Sequence, residues 1–266
     1  MTLPDTETRL KDLLGNFHPC VRLCKQGEEP IPFHGPQAAG YTLEALMGIP
    51  TNSDSGPDID GFELKAFRNS NTMTLMTPGG DAGLVHTLGM RKFLQNHGTQ
   101  GKDGVSMRFV GVQRVGKVST NGRLMTMEGL TEAPGLAKTI DLIDVNSGDL
   151  LEQWSGSRLI QHWVTKQNLA FYVAGARVGN KVMFTDFFRC EDTSPARLMK
   201  ALQDGKVYYD PAHTLKAGAL KTRSQWRVST AKSTFPRLLR QLYQSVHHYS
   251  PRRGIDHDVM ADGTYK

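Results

Sequence analysis

A mixed α/β (α+β) fold in two lobes is predicted by three features of this 266-residue chain. Amphipathic helical stretches are interleaved with β-rich runs. Asp-Gly, Asn-Gly and Gly-Asn pairs fall where hairpin turns are needed. The length is ample for one large domain, or for two lobes that each bury a core.

The elements follow in chain order. Thr6 to Leu14 is expected to form an amphipathic helix closed by Gly15, and the stretch through Pro36 is loop-rich. Tyr41 to Gly48 reads as a short helix, with Thr42 near its N-cap, Glu44 as its only acid and Gly48 as terminator. Asp60-Gly61 is a favoured two-residue hairpin turn. Phe62 to Arg68 and Thr72 to Thr77 follow as strands, and Pro78-Gly79-Gly80-Asp81 as a loop. Met107 to Val112 and Leu124 to Met127 add strands, with Asn121-Gly122 as a turn between.

Gly156 to Lys166 carries a helical pattern with Leu159, Ile160 and Trp163 on its apolar side. Leu169 to Arg177 and Lys181 to Arg189 are β-rich runs joined through Gly179-Asn180. Ser194-Pro195 starts another helix, which ends before Gly205. Val207 to Asp210 is a short strand, and a last helix is expected over Pro236 to Val246 with Leu238, Leu239, Leu242 and Val246 inward. The tail after Ser250 is expected to be disordered.

Composition excludes several classes. The apolar fraction of 38% and mean hydropathy of -0.40 suit a soluble protein. No apolar run approaches the ~18 residues of a membrane span, and no secretory signal is read at the N-terminus. Three cysteines fit a reducing cytoplasm better than a disulfide framework. Cys20, Cys24, His18 and His34 match no standard zinc spacing, and His162 beside Trp163 is expected to be packed. Residues 1–64 hold ten acids against four bases, whereas residues 197–253 hold twelve bases against two acids. Such a basic run suits the phosphate contacts that dominate nucleic-acid affinity.

Asp58, Glu63 and Lys65 are the candidate reactive groups. The Asp60-Gly61 turn pairs Ile59 with Phe62 and sets Asp58 opposite Glu63, with Cβ atoms about 4.5–5.5 Å apart. Lys65 lies two residues beyond Glu63 and shares its face, while Phe62, Leu64 and Ala66 point toward a core. Carboxylates suit a hard cation such as Mg²⁺, which stabilises charge on a phosphate and eases deprotonation of a bound water. An ammonium at Lys65 positions that water or offsets the developing charge. A solvated, salt-bridged hairpin face would use the same residue types at about 0–1 kcal/mol per pair. Asp60 is the rival acid, but the hairpin places it in the turn.

A longer pattern adds Glu44. Gly40-Tyr41-Thr42-Leu43-Glu44, then Leu46 and Gly48, then Pro57-Asp58 and Glu63-Leu64-Lys65 resembles the MvaI/BcnI-type restriction endonucleases. These are relatives of the mismatch-repair nicking enzyme MutH within the PD-(D/E)XK superfamily. The likeness is specific over residues 38 to 78 and weaker beyond. It implies a PD-(D/E)XK restriction-endonuclease-like core with a second, DNA-recognition lobe across a cleft. Residues 1–150 would then be the nuclease lobe, 151–250 the recognition lobe and 251–266 a tail, the boundary at 150 being approximate and leaving room for the chain to cross back. The resemblance gives Glu44 a supporting role, makes Asp58 and Glu63 ligands of Mg²⁺ (Mn²⁺ able to substitute), and has Lys65 assist the attack.

Lys221-Thr222-Arg223-Ser224-Gln225-Trp226-Arg227 stands where that family carries a His-Gly-Thr-x-aromatic-Arg motif that meets bases. Trp226-Arg227 matches its end, whereas Thr222 and Arg223 replace its His-Gly. Arginine reads guanine and glutamine reads adenine in the major groove, so Arg223, Gln225 and Arg227, with Lys221, are the DNA-binding candidates. The same groups serve equally as phosphate clamps.

The resemblance implies sequence-specific cleavage of double-stranded DNA, leaving 5′-phosphates. One active site per chain cuts one strand at a time, so a monomer acting in two successive nicks is expected. A MutH-like nicking enzyme and a catalytically inactive DNA-binding protein are the alternatives, the second opposed by the complete Glu44, Asp58, Glu63 and Lys65 set. A cognate DNA methyltransferase is expected as a companion, not as part of a complex.

Overall fold

A computed structural model describes residues 3–51, 56–69, 71–129, 137–251 and 256–266. The chain divides into two units: Met1–Met73, Val164–Ser194 and Ser229–Lys266 form one, and Thr74–Trp163 with Pro195–Val228 the other. It therefore passes between units four times. The reason lies in strand pairing. Glu63–Phe67 runs parallel to Leu169–Val178, and parallel neighbours need a long crossover. That crossover is the first segment of the second unit.

The first unit is built on a six-stranded sheet. Its order is Asp256–Asp258, Tyr243–Tyr249, Lys181–Thr193, Leu169–Val178 and Glu63–Phe67, with Phe17–Pro19 paired to the start of Lys181–Thr193. Leu169–Val178 and Lys181–Thr193 form the expected hairpin through Gly179-Asn180, with Gly179 at φ 60°. On one side of the sheet Leu10, Leu14 and Leu43 pack with Phe62, Leu64, Phe171 and Phe184. Helices Leu3–Leu13 and Ala38–Leu46 supply Leu10 and Leu43. Phe67 and Tyr172 instead meet Phe235 of helix Phe235–Leu242, with ring centroids 4.7 and 5.9 Å apart.

Three local expectations change. Helix Ala38–Leu46 starts earlier than read, so Thr42 lies inside it and not near the N-cap. The buried Thr42 hydroxyl instead accepts Val21 N–H at 3.1 Å and donates to Val21 O at 3.3 Å, tying the helix to strand Val21–Arg22. The last helix stops at Leu242, and Tyr243–Tyr249 becomes a strand paired with Phe187–Thr193. Val246 remains buried, but by strand alternation. The tail is also ordered where described. Asp256–Asp258 pairs with His247–Tyr249, and buried Val259 donates its N–H to Val246 O at 2.8 Å. Residues 252–255 lie outside the described residues.

In the second unit, Leu150–Ser155, Thr139–Asp144 and Arg123–Glu128 make a three-stranded antiparallel sheet. Thr139–Asp144 was not evident in sequence because Asp141 and Asp144 dilute the apolar alternation, yet Ile140 and Leu142 are fully buried. A four-stranded sheet orders Ala219–Lys221, Ala212–Lys216, Ser106–Val110 and Thr99–Gln100. Buried Trp154, Tyr209 and Trp226 cluster with centroids 4.7–5.2 Å apart. Both indole N–H groups donate to Pro78 O at 3.1 Å. Among the described residues, no helix is long and apolar enough to cross a membrane.

Candidate active site

Asp60 and Gly61 both have left-handed backbone, at φ 50° and 83°, as a two-residue hairpin turn of this kind requires. Ile59 and Phe62 form the single antiparallel bridge that follows. Asp58 N–H and Ile59 N–H both donate to Phe62 O, at 2.9 and 3.0 Å. The hairpin ladder then ends, because Pro57 has no N–H to continue it. Asp58 takes over with its side chain, where Oδ2 accepts Leu64 N–H at 2.8 Å. Its carboxylate is thus fixed to the strand that carries Glu63 and Lys65. Asp60 is spent elsewhere, accepting a hydrogen bond from the Thr6 hydroxyl.

Glu63 is 2% exposed, and Phe62 and Leu64 face the apolar core as expected. Lys65 Nζ donates to Glu63 Oε1 at 2.5 Å. Lys166, at the end of helix Gly156–Gln167, brings a second ammonium within 3.4 Å of Glu63 Oε2. Sequence reading missed Lys166. Its position invites the ordinary explanation that a lysine suits a helix C-terminus, and no local spacing relates it to Glu63.

The carboxylates feel one another. Burial first, and then the Asp58 charge, push Glu44 up to about 7, with Lys65 opposing and Glu63 reinforcing. Glu63 is also raised by burial, against the pull of Lys65 and with Asp58 adding to the rise. Glu63 Oε2 is buried without a hydrogen bond. A hard divalent cation fits this set, because it would ligate that oxygen and relieve the mutual repulsion of Glu44, Asp58 and Glu63. Among the described residues, no three His, Cys, Asp or Glu side chains form a ready-made cage. An ion of the Mg²⁺ kind does not need one, since it keeps several waters and takes phosphate oxygens as ligands.

The DNA-binding candidates all fall in the second unit. Lys221 ends strand Ala219–Lys221, and both Lys221 and Arg223 are exposed. Gln225 is half-buried, with Nε2 donating to Thr74 Oγ1 at 3.3 Å. Arg227 is held by Asp210, at 2.6 Å from Nη1 to Oδ2. Backbone bonds pin the segment, with Asp210 N–H donating to Gln225 O at 2.7 Å and Ala212 N–H to Arg223 O at 2.9 Å.

Three carboxylates, Glu44, Asp58 and Glu63, and two ammonium groups, Lys65 and Lys166, thus gather at the Glu63–Phe67 edge of the sheet in a mixed α/β fold. The family model for the MvaI/BcnI restriction endonuclease family matches residues 21–238, and the chain belongs to that family. It is a type II site-specific deoxyribonuclease. Among solved structures, a restriction endonuclease MvaI complex with cognate DNA superposes with a TM-score of 0.67 at 14% identity, over 92% of this chain and 96% of that one. At that identity the likeness is one of fold. MvaI in the absence of DNA aligns with a TM-score of 0.46 at 13% identity, over 86% of this chain and 92% of that one. A comparison with curated protein sequences finds no match.

Proposed function

We propose that this protein is a Mg²⁺-dependent endonuclease that hydrolyses double-stranded DNA at a specific sequence, with Asp58 and Glu63 as the metal ligands. The observation that carries the assignment is the buried Glu63 Oε2, which accepts no hydrogen bond and faces the Lys166 ammonium at 3.4 Å, beside Asp58 and Lys65. When bound, Mg²⁺ supplies positive charge to a phosphate oxygen and makes a coordinated water easier to deprotonate. The chain's own residues do the rest. The bond from Leu64 N–H holds Asp58 in one orientation. Lys65 is restrained by Glu63, so its ammonium is positioned to orient the attacking water and offset charge on the phosphate. Lys166 balances the second Glu63 oxygen, and Glu44, raised to about 7 by burial and the Asp58 charge when no cation is bound, supports the metal site from helix Ala38–Leu46.

Lys221, Arg223, Gln225 and Arg227 are the proposed DNA contacts. Attack in line on phosphorus leaves a 5′-phosphate, and a monomer with one such site opens a duplex by two successive nicks. Cysteines 20, 24 and 190 are free, as suits a reducing cytoplasm. A methyltransferase that protects the host sequence is the expected companion, without forming a complex.

The test is cleavage of supercoiled plasmid by the wild type and Asp58→Ala, each with Mg²⁺ and with chelator. Discrete fragments from wild type with Mg²⁺ alone are expected, preceded by open circles. Asp58→Ala should be slower by on the order of a hundredfold or more, the scale of losing one stabiliser of transition-state charge. Circles that persist indefinitely would assign a MutH-like nicking enzyme instead. Binding without cleavage of any duplex would leave a DNA-binding protein.

A further inference from the structure

A chain of buried polar groups in the second unit joins the Pro78–Asp81 loop to the Lys221–Arg227 segment. Gly80 N–H donates to Glu152 Oε1 at 2.8 Å, and the Tyr209 hydroxyl donates to Glu152 Oε2 at 2.9 Å. His213 Nε2 lies 3.3 Å from the same hydroxyl oxygen, and Arg223 N–H donates to His213 Nδ1 at 3.2 Å. Glu152, Tyr209 and His213 are each 0% exposed.

The shortest contacts point to one arrangement of the hydrogens. Nδ1 of His213 accepts from Arg223, so the ring carries its hydrogen on Nε2 and donates it to Tyr209. Tyr209 then has its own hydrogen for Glu152, with Ser224 Oγ a longer second acceptor at 3.5 Å, and both Glu152 oxygens accept; burial raises that carboxyl to about 7, and the bonds from Gly80 and Tyr209 oppose the rise. Burial lowers His213 to about 4, which keeps the ring neutral, and the Arg223 N–H at Nδ1 selects its tautomer. The loop is also fitted to this chain. A Cβ on Gly80 would lie 2.4 Å from Glu152 Cγ, and one on Gly79 would lie 3.3 Å from Ser224 Oγ.

Burying a carboxylate without a cation beside it is costly, and apolar residues of similar volume would serve packing as well or better. Such groups are worth that cost when they fix one geometry, and here both ends of the chain are backbone N–H groups of loops. We propose that Glu152, Tyr209 and His213 are specificity-setting positioning residues, which lock the backbone at Arg223 and at Gly80 so that Arg223 and Gln225 meet DNA in a single register. This rests on the reading that Arg223 and Gln225 contact bases.

Tyr209→Phe removes one hydroxyl and leaves the ring against Trp154 and Trp226. Glu152→Gln keeps the shape but removes the carboxylate acceptor. With its carbonyl toward Gly80, the Gln amide N–H₂ points at Tyr209, whose hydroxyl hydrogen must leave that direction for Ser224 Oγ at 3.5 Å, loosening its hold on the side chain at position 152. The experiment measures cleavage rates by the full-length protein on the site found from wild-type fragment ends and on sites differing by one base pair. A merely structural defect lowers the active fraction for both substrates alike and leaves their ratio unchanged.

Both variants are expected to lower the cognate-to-variant ratio by at least about tenfold, within what one bidentate base contact supplies. Arg223→Ala and Gln225→Ala in the same assay report on the base-reading assignment itself. If either loses discrimination while Tyr209→Phe and Glu152→Gln keep the wild-type ratio, the positioning proposal is overturned and the base-reading assignment stands. If neither loses discrimination, both fall together.

Discussion

Glu44 shows how much a single side chain in this site depends on its neighbours. It lies on helix Ala38–Leu46, and burial with the Asp58 charge pushes its carboxyl from 4.5 up to about 7. The folded state therefore binds a proton more tightly than the unfolded chain, so the stability linked to this group is fully present below about 4.5 and lost as pH rises through about 7. In metal-free protein, Glu44→Gln should melt higher than wild type at pH 8, with the gap closing toward pH 5, while DNA cleavage is impaired. Thermal melts across that range in chelator check it, and a gap that does not change with pH would refute the assigned cause. Asp58, Glu63 and Lys65 could be grouped from the sequence because they sit close together on a turn and a strand, whereas Glu44 entered through the family resemblance. Lys166 could not, since it reaches Glu63 only through the parallel pairing of Glu63–Phe67 with Leu169–Val178.

Among the elements, the Ile59–Phe62 turn was the most legible, because Asp-Gly is one of the few dipeptides that accept φ > 0 at both central positions. Gly61, at φ 83°, has nothing nearer its would-be Cβ than Leu169 Cδ1 at 3.9 Å. Gly61→Ala therefore meets no clash and is strained by conformation alone, which costs roughly 1–2 kcal/mol. Urea unfolding should show a loss of that size with an unchanged m-value. Apparent affinity for the divalent ion should weaken as well, because the turn sets Asp58. A variant as stable as wild type would mean that the turn relaxes to another form. Helix Phe235–Leu242 marks the limit of local reading. Its helical pattern continues into Val246, but pairing with Phe187–Thr193 claims Tyr243–Tyr249 as a strand. Long-range pairing overrides local propensity there, as it does at Asp256–Asp258.

At the scale of the molecule, charge follows the two units and not the order of the sequence. The first unit holds sixteen basic and sixteen acidic residues, whereas the second holds sixteen basic against ten acidic. The whole net charge of +6 thus belongs to the unit that carries Lys221, Arg223, Gln225 and Arg227. The contrast between an acidic start and a basic later stretch was visible in sequence, but its assignment to units was not, because the chain passes between them four times. Phosphate neutralisation releases counterions, so log affinity for duplex DNA falls linearly with log salt, by about 0.9 per phosphate contacted. Metal-free binding to a duplex of unrelated sequence should show such a slope, and Lys221→Ala should reduce it by about one, the signature of a phosphate contact. Arg223→Ala separates the two roles open to an exposed arginine. If Arg223 reads a base, the salt slope on unrelated sequence stays near that of wild type while discrimination between sites is lost. If it clamps a phosphate, the slope drops and affinity weakens alike on every sequence. Slopes left unchanged by both substitutions would move the DNA interface away from the Lys221–Arg227 segment.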